Sequence, residues 1–443
     1  MTGRAPSAPR LAAAAAAALL CAIVAAPLAG CATVLMPTPV GFDAGGADPF
    51  AATPAPSRTP PVTVFCASTR GVDPGAPPAR YFNTKRNTST LRLCELTVGV
   101  GDSGETWDAL LETSRQPGRT DGPAMTLRSL TDYGPLWAGP AKLDPSPGLD
   151  EKVMGRFAEA IDAELAKGTS GNVYVFVHGF NTTVPDNAAL AAGLFHYLGR
   201  DGAVMTFEWP SRGSVFDYDI DKAAAGASTR SFRQLVSLIG SRTRARAIHV
   251  IAHSAGAPIA VQAIQQLRLM RAHEGADDAR RALRLGRLVL VAPDMDLGDF
   301  RDAVSDGATE LPERVTIYVS SRDKALDISS WISGFARLGR PLDTLTPAQV
   351  GFLEDNANVD LVDVSHAEQR LGSWLGHSYF RDDPWASTDV LLTLGHGLHP
   401  LDRGLQRDAT HNVYAFGDQY PDRARAAARA ALAPKPSAGG DPK

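Results

Sequence analysis

The chain is poor in cysteine, with four in 443 residues, at positions 21, 31, 66 and 94. So few thiols exclude a small disulfide-stapled scaffold. There is no surplus of positive charge: 44 Lys and Arg stand against 48 Asp and Glu, a net charge of −4. That balance argues against a nucleic-acid-binding surface. Past the first thirty residues there is no long apolar run, and nowhere is there a long heptad run or an internal repeat. Polytopic membrane, coiled-coil and solenoid architectures are thereby set aside. What remains is an ordinary globular composition, 44% hydrophobic and 21% charged. The length fits two or three domains, or one large α/β domain carrying insertions.

The first thirty residues read as a targeting segment. Arg4 and Arg10 precede an Ala/Leu-rich run from Leu11 to Leu28, the pattern of a secretory signal. The run is marginal for spanning a bilayer. It ends in Leu28-Ala29-Gly30-Cys31, which looks like a bacterial lipobox, in which Cys31 is lipidated with palmitate-type acyl chains and becomes the new N-terminus. Several acyl chains on Cys31 anchor a protein stably. Ala32 fits outer-membrane sorting, facing the periplasm. Removing Arg4 and Arg10 leaves 42 basic residues against 48 acidic ones. Besides Cys31, the exported chain keeps Cys66 and Cys94, both in strand-like runs. An oxidising compartment favours a bridge between them; the alternative is two buried free thiols.

Four regions follow: a signal peptide over 1–30, a Pro/Gly-rich extended tether over 31–60, a globular domain over 61–400, and an extension with a disordered tail over 401–443. Strands are expected near 62–67 and 91–100, then an irregular Gly/Pro-rich region to 148. A helix capped by Asp150 carries Val153, Phe157, Ile161 and Leu165 on one stripe. Beyond it, 173–177, 203–207, 247–252, 287–292 and 315–319 are continuous apolar runs, with 359–364 a weaker sixth. Strands apolar on both faces belong in a parallel sheet covered by helices, here 186–198, 228–239 and 258–271. The functional groups of such a sheet lie at the C-terminal ends of its strands.

At one such end stands Ala252-His253-Ser254-Ala255-Gly256, a strand–turn–helix variant of the G-x-S-x-G nucleophile elbow with Ala252 in the first Gly position. Ser254 is the candidate nucleophile. Its hydroxyl needs a base, and the base needs an orienting acid. Asp323, after the strand 315–319, is the favoured acid; Asp294 and Asp296, after the preceding strand, compete. His377, after the weak sixth strand, is the candidate base, with His366 its main competitor. His396 and His399 suggest a metal pair only weakly, since no third ligand is evident. Oxyanion donors are expected from the amides of Ala255 and Phe180, the latter in His178-Gly179-Phe180-Asn181. His178 and Asn181 are expected to brace that loop. Trp209-Pro-Ser-Arg-Gly213 closes the strand 203–207 either as part of a substrate pocket or as a turn with a packed Trp.

As a set, these pieces resemble bacterial α/β-hydrolases of unassigned function, often labelled esterases. The match runs through Ala67-Ser-Thr-Arg70, Val175 to Asn181, Phe207-Glu-Trp-Pro-Ser211 with Tyr218 and Asp221, Ala252 to Gly256, Ala292-Pro-Asp-Met-Asp296, Ser320 to Leu326 and His377-Ser-Tyr-Phe380, with Met36-Pro-Thr-Pro39 upstream. The resemblance implies an α/β-hydrolase fold, a mostly parallel central sheet flanked by helices, here with an N-terminal strand extension. It implies Ser254 as nucleophile, Asp323 as acid and His377 as base. The expected function is a cell-envelope serine hydrolase acting on a small-molecule or lipid-like ester, with no cofactor, no metal and no nucleic-acid partner. The rivals are a non-catalytic envelope protein on the same scaffold, and a thioesterase or amidase using the same three residues.

Overall fold

The computed structural model describes residues 33–86, 90–137, 147–212, 218–321, 358–365, 377–407 and 413–433, with the single positions 323, 326, 338, 339, 347, 351, 355 and 356. Cys31, His366 and the tail 434–443 lie outside the described residues.

Runs apolar on both faces become the middle of a sheet. β1 (Val62–Ser68), β6 (Asn172–Val177), β7 (Ala203–Glu208), β8 (Ala247–His253), β9 (Leu285–Val291), β10 (Arg314–Val319) and β11 (Val359–Asp363) run parallel. β4 (Thr90–Val100) and β5 (Met125–Trp137) extend one edge antiparallel; the short β12 (Gln406–Arg407) and β13 (Tyr414–Ala415) close the other. The order is β12-β13-β11-β10-β9-β8-β6-β7-β1-β4-β5. β2 (Arg70–Val72) and β3 (Phe82–Arg86) form a separate ribbon immediately after β1.

Helices cover both faces. α1 (Trp107–Ser114), α3 (Val184–Tyr197), α9 (Pro384–His396) and α10 (Tyr420–Leu432) share one apolar cluster with the sheet. α2 (Pro147–Leu165), α4 (Tyr218–Arg242), α5 (Ala257–Met270), α6 (Ala276–Leu283) and α7 (Leu297–Ser305) share the other, and α8 (Tyr379–Asp382) is a single turn before α9. Among the described residues no helix is long and apolar enough to cross a membrane.

Four expectations change. The stretch read as an extended tether is packed over its described part: Leu35, Met36, Val40, Phe42 and Phe50 are buried in the α3 and α10 face. Its backbone is satisfied as it packs. Leu35 N–H donates to Pro123 O (3.0 Å), Gly41 N–H to Thr388 Oγ1 (3.1 Å) and Ala47 N–H to Gly41 O (2.9 Å). The prolines constrain this segment without keeping it from the core, because its apolar side chains gain more by burial than an open chain would. The residues read as an extension past 400 likewise supply β12, β13 and the half-buried α10, tied back by the Arg425–Asp43 ion pair (2.8 Å). Finally, register sets Cys66 opposite Cys94, yet both buried thiols are free and Cys94 Sγ donates to Cys66 O (3.5 Å). The second of the two readings, a pair of buried thiols, describes this arrangement. In the region 101–148, α1 and the long edge strand β5 replace the irregular chain expected there.

Candidate active site

β8 ends in a sharp turn. Ser254 has φ +50°, in the left-handed region that a non-glycine residue enters only when the surroundings impose it. What imposes it is crowding. A Cβ on Gly256 would stand 2.5 Å from His178 O and 2.7 Å from Val177 O, and one on Gly179 would stand 2.9 Å from Ser254 Cβ. The elbow and the loop after β6 therefore interlock through two glycines. Ala252, two residues before Ser254, is buried in the strand with its methyl group accommodated, so the first Gly of the motif is dispensable here.

Three side chains distant in sequence meet above the elbow. His377 Nε2 lies 2.7 Å from Ser254 Oγ, and His377 Nδ1 lies 2.7 Å from Asp323 Oδ2. A carboxylate only accepts, so Nδ1 carries the hydrogen and Nε2 presents its lone pair to the hydroxyl. Asp323 is buried, and its other oxygen accepts from Leu326 N–H (3.1 Å). The backbone of His377 is held from below: His253 Nε2 donates to His377 O (3.0 Å). Burial, with His377 next, holds His253 neutral, well below the usual imidazole range. Tyr379 adds a second brace by donating to Tyr318 O (3.1 Å) and accepting from Ala292 N–H (2.9 Å). The competing acids stand at the same site in other contacts. Asp296 caps α7, accepting from Gly298 and Asp299 N–H, and Asp294 N–H donates to Ser254 O (3.2 Å).

The loop after β6 lies against this centre. His178 stacks flat on Trp209 (5.0 Å between centroids), whose Nε1 donates to His178 O (2.8 Å). Asn181 adopts φ +54°, and its N–H donates to Ser211 Oγ, which donates to Asp221 Oδ2. His178 thus braces the loop through its side chain, as expected, whereas the bond that Asn181 contributes comes from its backbone N–H. Sequence reasoning left Arg70, Glu208, Ser211 and Asp221 without a role, although each stands in a quoted motif. Their shared neighbourhood arises only when β1 pairs with β7 and α4 returns over the loop. Trp209 serves both readings, since it is fully buried and also forms a wall of the site.

That wall belongs to a cavity of ≈ 130 Å³ touching Phe180 and Ala255. Trp209, Ala225, Ile259 and Met295 make its apolar side; Lys222, Asp294 and Asp299 make its polar side. A wider surface hollow of ≈ 450 Å³ on α1 is lined by residues such as Asp108, Glu112 and Arg115 and holds none of the groups above. Among the described residues no cluster of three or more His, Cys, Asp or Glu is placed to hold a metal ion.

Residues 155–393 match the family model described as alpha/beta hydrolase of unknown function (DUF900). An uncharacterized protein of Nostoc sp. (alr1448) is 27% identical over 153 residues, which span 29% of this chain and 39% of that relative. The chain therefore matches well under two thirds of that relative's length. Among solved structures, a Lactobacillus plantarum protein described as a cell surface hydrolase is 14% identical, covering 51% of this chain and 91% of that one, with a TM-score of 0.30. Esterase B from Lactobacillus rhamnosis is 14% identical, covering 50% and 73%, with a TM-score of 0.29. With the family model spanning more than half of its residues, this chain belongs to the alpha/beta hydrolase family DUF900.

Proposed function

We propose that this hydrolase cleaves carboxylic esters at the cell envelope through a Ser-His-Asp relay and an acyl-enzyme. The observation that carries the reading is the unbroken series Ser254 Oγ, His377 and Asp323, joined by two hydrogen bonds of 2.7 Å. In the proposed step Ser254 Oγ attacks the ester carbonyl while His377 Nε2 takes its proton, and buried Asp323 stabilises the imidazolium that forms. The amides of Ala255 and Phe180 receive the oxyanion. His377 then protonates the departing alcohol, and water, activated by the same nitrogen, releases the acid. Every proton taken is returned, so the cycle calls for no cofactor. Acylation at Cys31 would hold this chemistry at the membrane, with the outer membrane's periplasmic face the proposed address.

A fluorophosphonate should add its mass to the wild-type chain once and leave Ser254→Ala unmodified, with ester turnover falling by about three or more orders of magnitude. Equal labelling of both proteins would remove Ser254 from the role. Intact mass of protein extracted from membranes, compared with Cys31→Ser, tests the anchor separately.

A further inference from the structure

Among the described residues outside the segment that matches the family model, Arg70 carries its charge into the heart of the site. Arg70 opens β2, directly beyond β1, and is 3% exposed. Its Nη2 donates to Thr182 O (2.7 Å) and lies 3.2 Å from His178 Nε2; its Nε is 3.7 Å from Glu208 Oε2. Glu208 Oε1 in turn accepts from Asn187 Nδ2 (2.6 Å). A guanidinium has no lone pair to offer, so in this 3.2 Å contact His178 Nε2 accepts; Glu208 Oε2, which would need a hydrogen on the same nitrogen, stands farther off at 3.5 Å. The ring's single hydrogen is then on Nδ1, which lies 2.7 Å from Gly179 O and donates to it. Thr182 Oγ1 donates to the same carbonyl (3.3 Å).

The Gly179–Phe180 peptide is trans and planar, so its C=O and N–H point in opposite directions. Fixing the Gly179 carbonyl on one side fixes the direction of the Phe180 N–H on the other. We propose that Arg70 is a positioning residue for acyl transfer: by holding His178 in the Nδ1–H tautomer it sets the Gly179–Phe180 peptide plane and aims the Phe180 amide at the oxyanion. This inference rests on the proposed role of that amide. It assigns to the N-terminal strands a part in the chemistry that the matched core does not contain.

The test pairs Arg70→Met with His178→Asn, because an asparagine amide supplies a donor near the Nδ1 position whether or not Arg70 is present. In the wild-type background Arg70→Met should lower kcat for a soluble nitrophenyl ester by ~10- to 100-fold with KM little changed. It should weaken a trifluoromethyl ketone, whose hemiketal oxygen occupies the same hole, by a similar factor. In the His178→Asn background Arg70→Met should cost little more. Unchanged kcat, an equal loss in both backgrounds, or a loss confined to KM would overturn the proposal. Because Arg70→Met leaves a buried carboxyl without its cation, a fold-independent check is made on the wild-type protein. Nitrogen-15 NMR of the His178 ring should show Nδ1 protonated and Nε2 bare. An Nε2–H ring or an imidazolium would sink the inference even if the enzyme is fully active. If instead wild type fails to hydrolyse esters while the ring shows the expected tautomer, the proposed ester reading fails and the Arg70–His178–Gly179 arrangement stands.

Discussion

Glu208 shows how burial turns one side chain into a pH-dependent part. Its carboxyl is pushed up from 4.5 to about 7, chiefly by burial, with Arg70 and Asn187 pulling the other way. The folded chain therefore holds this proton more tightly than the unfolded chain does. Its contribution to stability is complete below pH 4.5 and is lost as pH rises to about 7, on the order of 3 kcal/mol in all. Glu208→Gln, which cannot ionise, should abolish that slope. Urea midpoints taken at both ends of the window should diverge between wild type and variant as pH rises, with the wild type losing ground. Parallel midpoints would clear Glu208 of the role. Arg70 responds to the same environment: burial lowers its pKa, and Glu208 only partly offsets this. The roles of Ser254, Asp323 and His377 were proposed from the elbow motif, the chain order of nucleophile, acid and base, and the resemblance to α/β-hydrolases, with all three placed at strand ends that converge in a parallel sheet. Arg70 and Glu208 gave no such signal. A buried ion pair is written in sequence as two ordinary charges, and only the β1–β7 pairing makes them neighbours.

Among the elements, the segment from Leu35 to Phe50 departs furthest from its sequence signature. Phe42 is 3% exposed, in a short turn that packs on α10 and α9. Phe42→Ala should cost about 3–5 kcal/mol of unfolding free energy, read as a lowered denaturant midpoint. A tether would tolerate the change without any shift. The central strands were legible because a run apolar on both faces has few other homes. α2 to α5 were legible from the apolar stretches between those strands, though α4 begins ten residues earlier than its periodic core at Ser228 suggests. β5 was hidden for a physical reason. As an edge strand it buries only Met125, Leu127 and Leu136 among its described side chains, breaks register with β4 twice, and tolerates Gly134 and Pro135, both of which read as loop signals. Composition misled at 33–60 because Pro and Ala are common both to open linkers and to irregular segments laid over a core.

For the whole molecule, the site is assembled from parts spanning more than three hundred residues, from Arg70 to His377, with the cavity at their junction. A volume of ≈ 130 Å³ has room for roughly four water-sized groups. Among nitrophenyl esters, kcat/KM should accordingly peak at acyl chains of about two to four carbons and fall for chains about twice that length or longer. A rising profile toward long chains would place the acyl group elsewhere. The dependence between core and periphery also runs the other way. A fragment cut to the stretch shared with relatives would leave β7 as a bare margin, six buried residues with their hydrogen-bonding groups open to any passing strand. Such a fragment would be sticky before it was slow, and whoever trims this hydrolase to its common denominator should expect to recover it from the pellet.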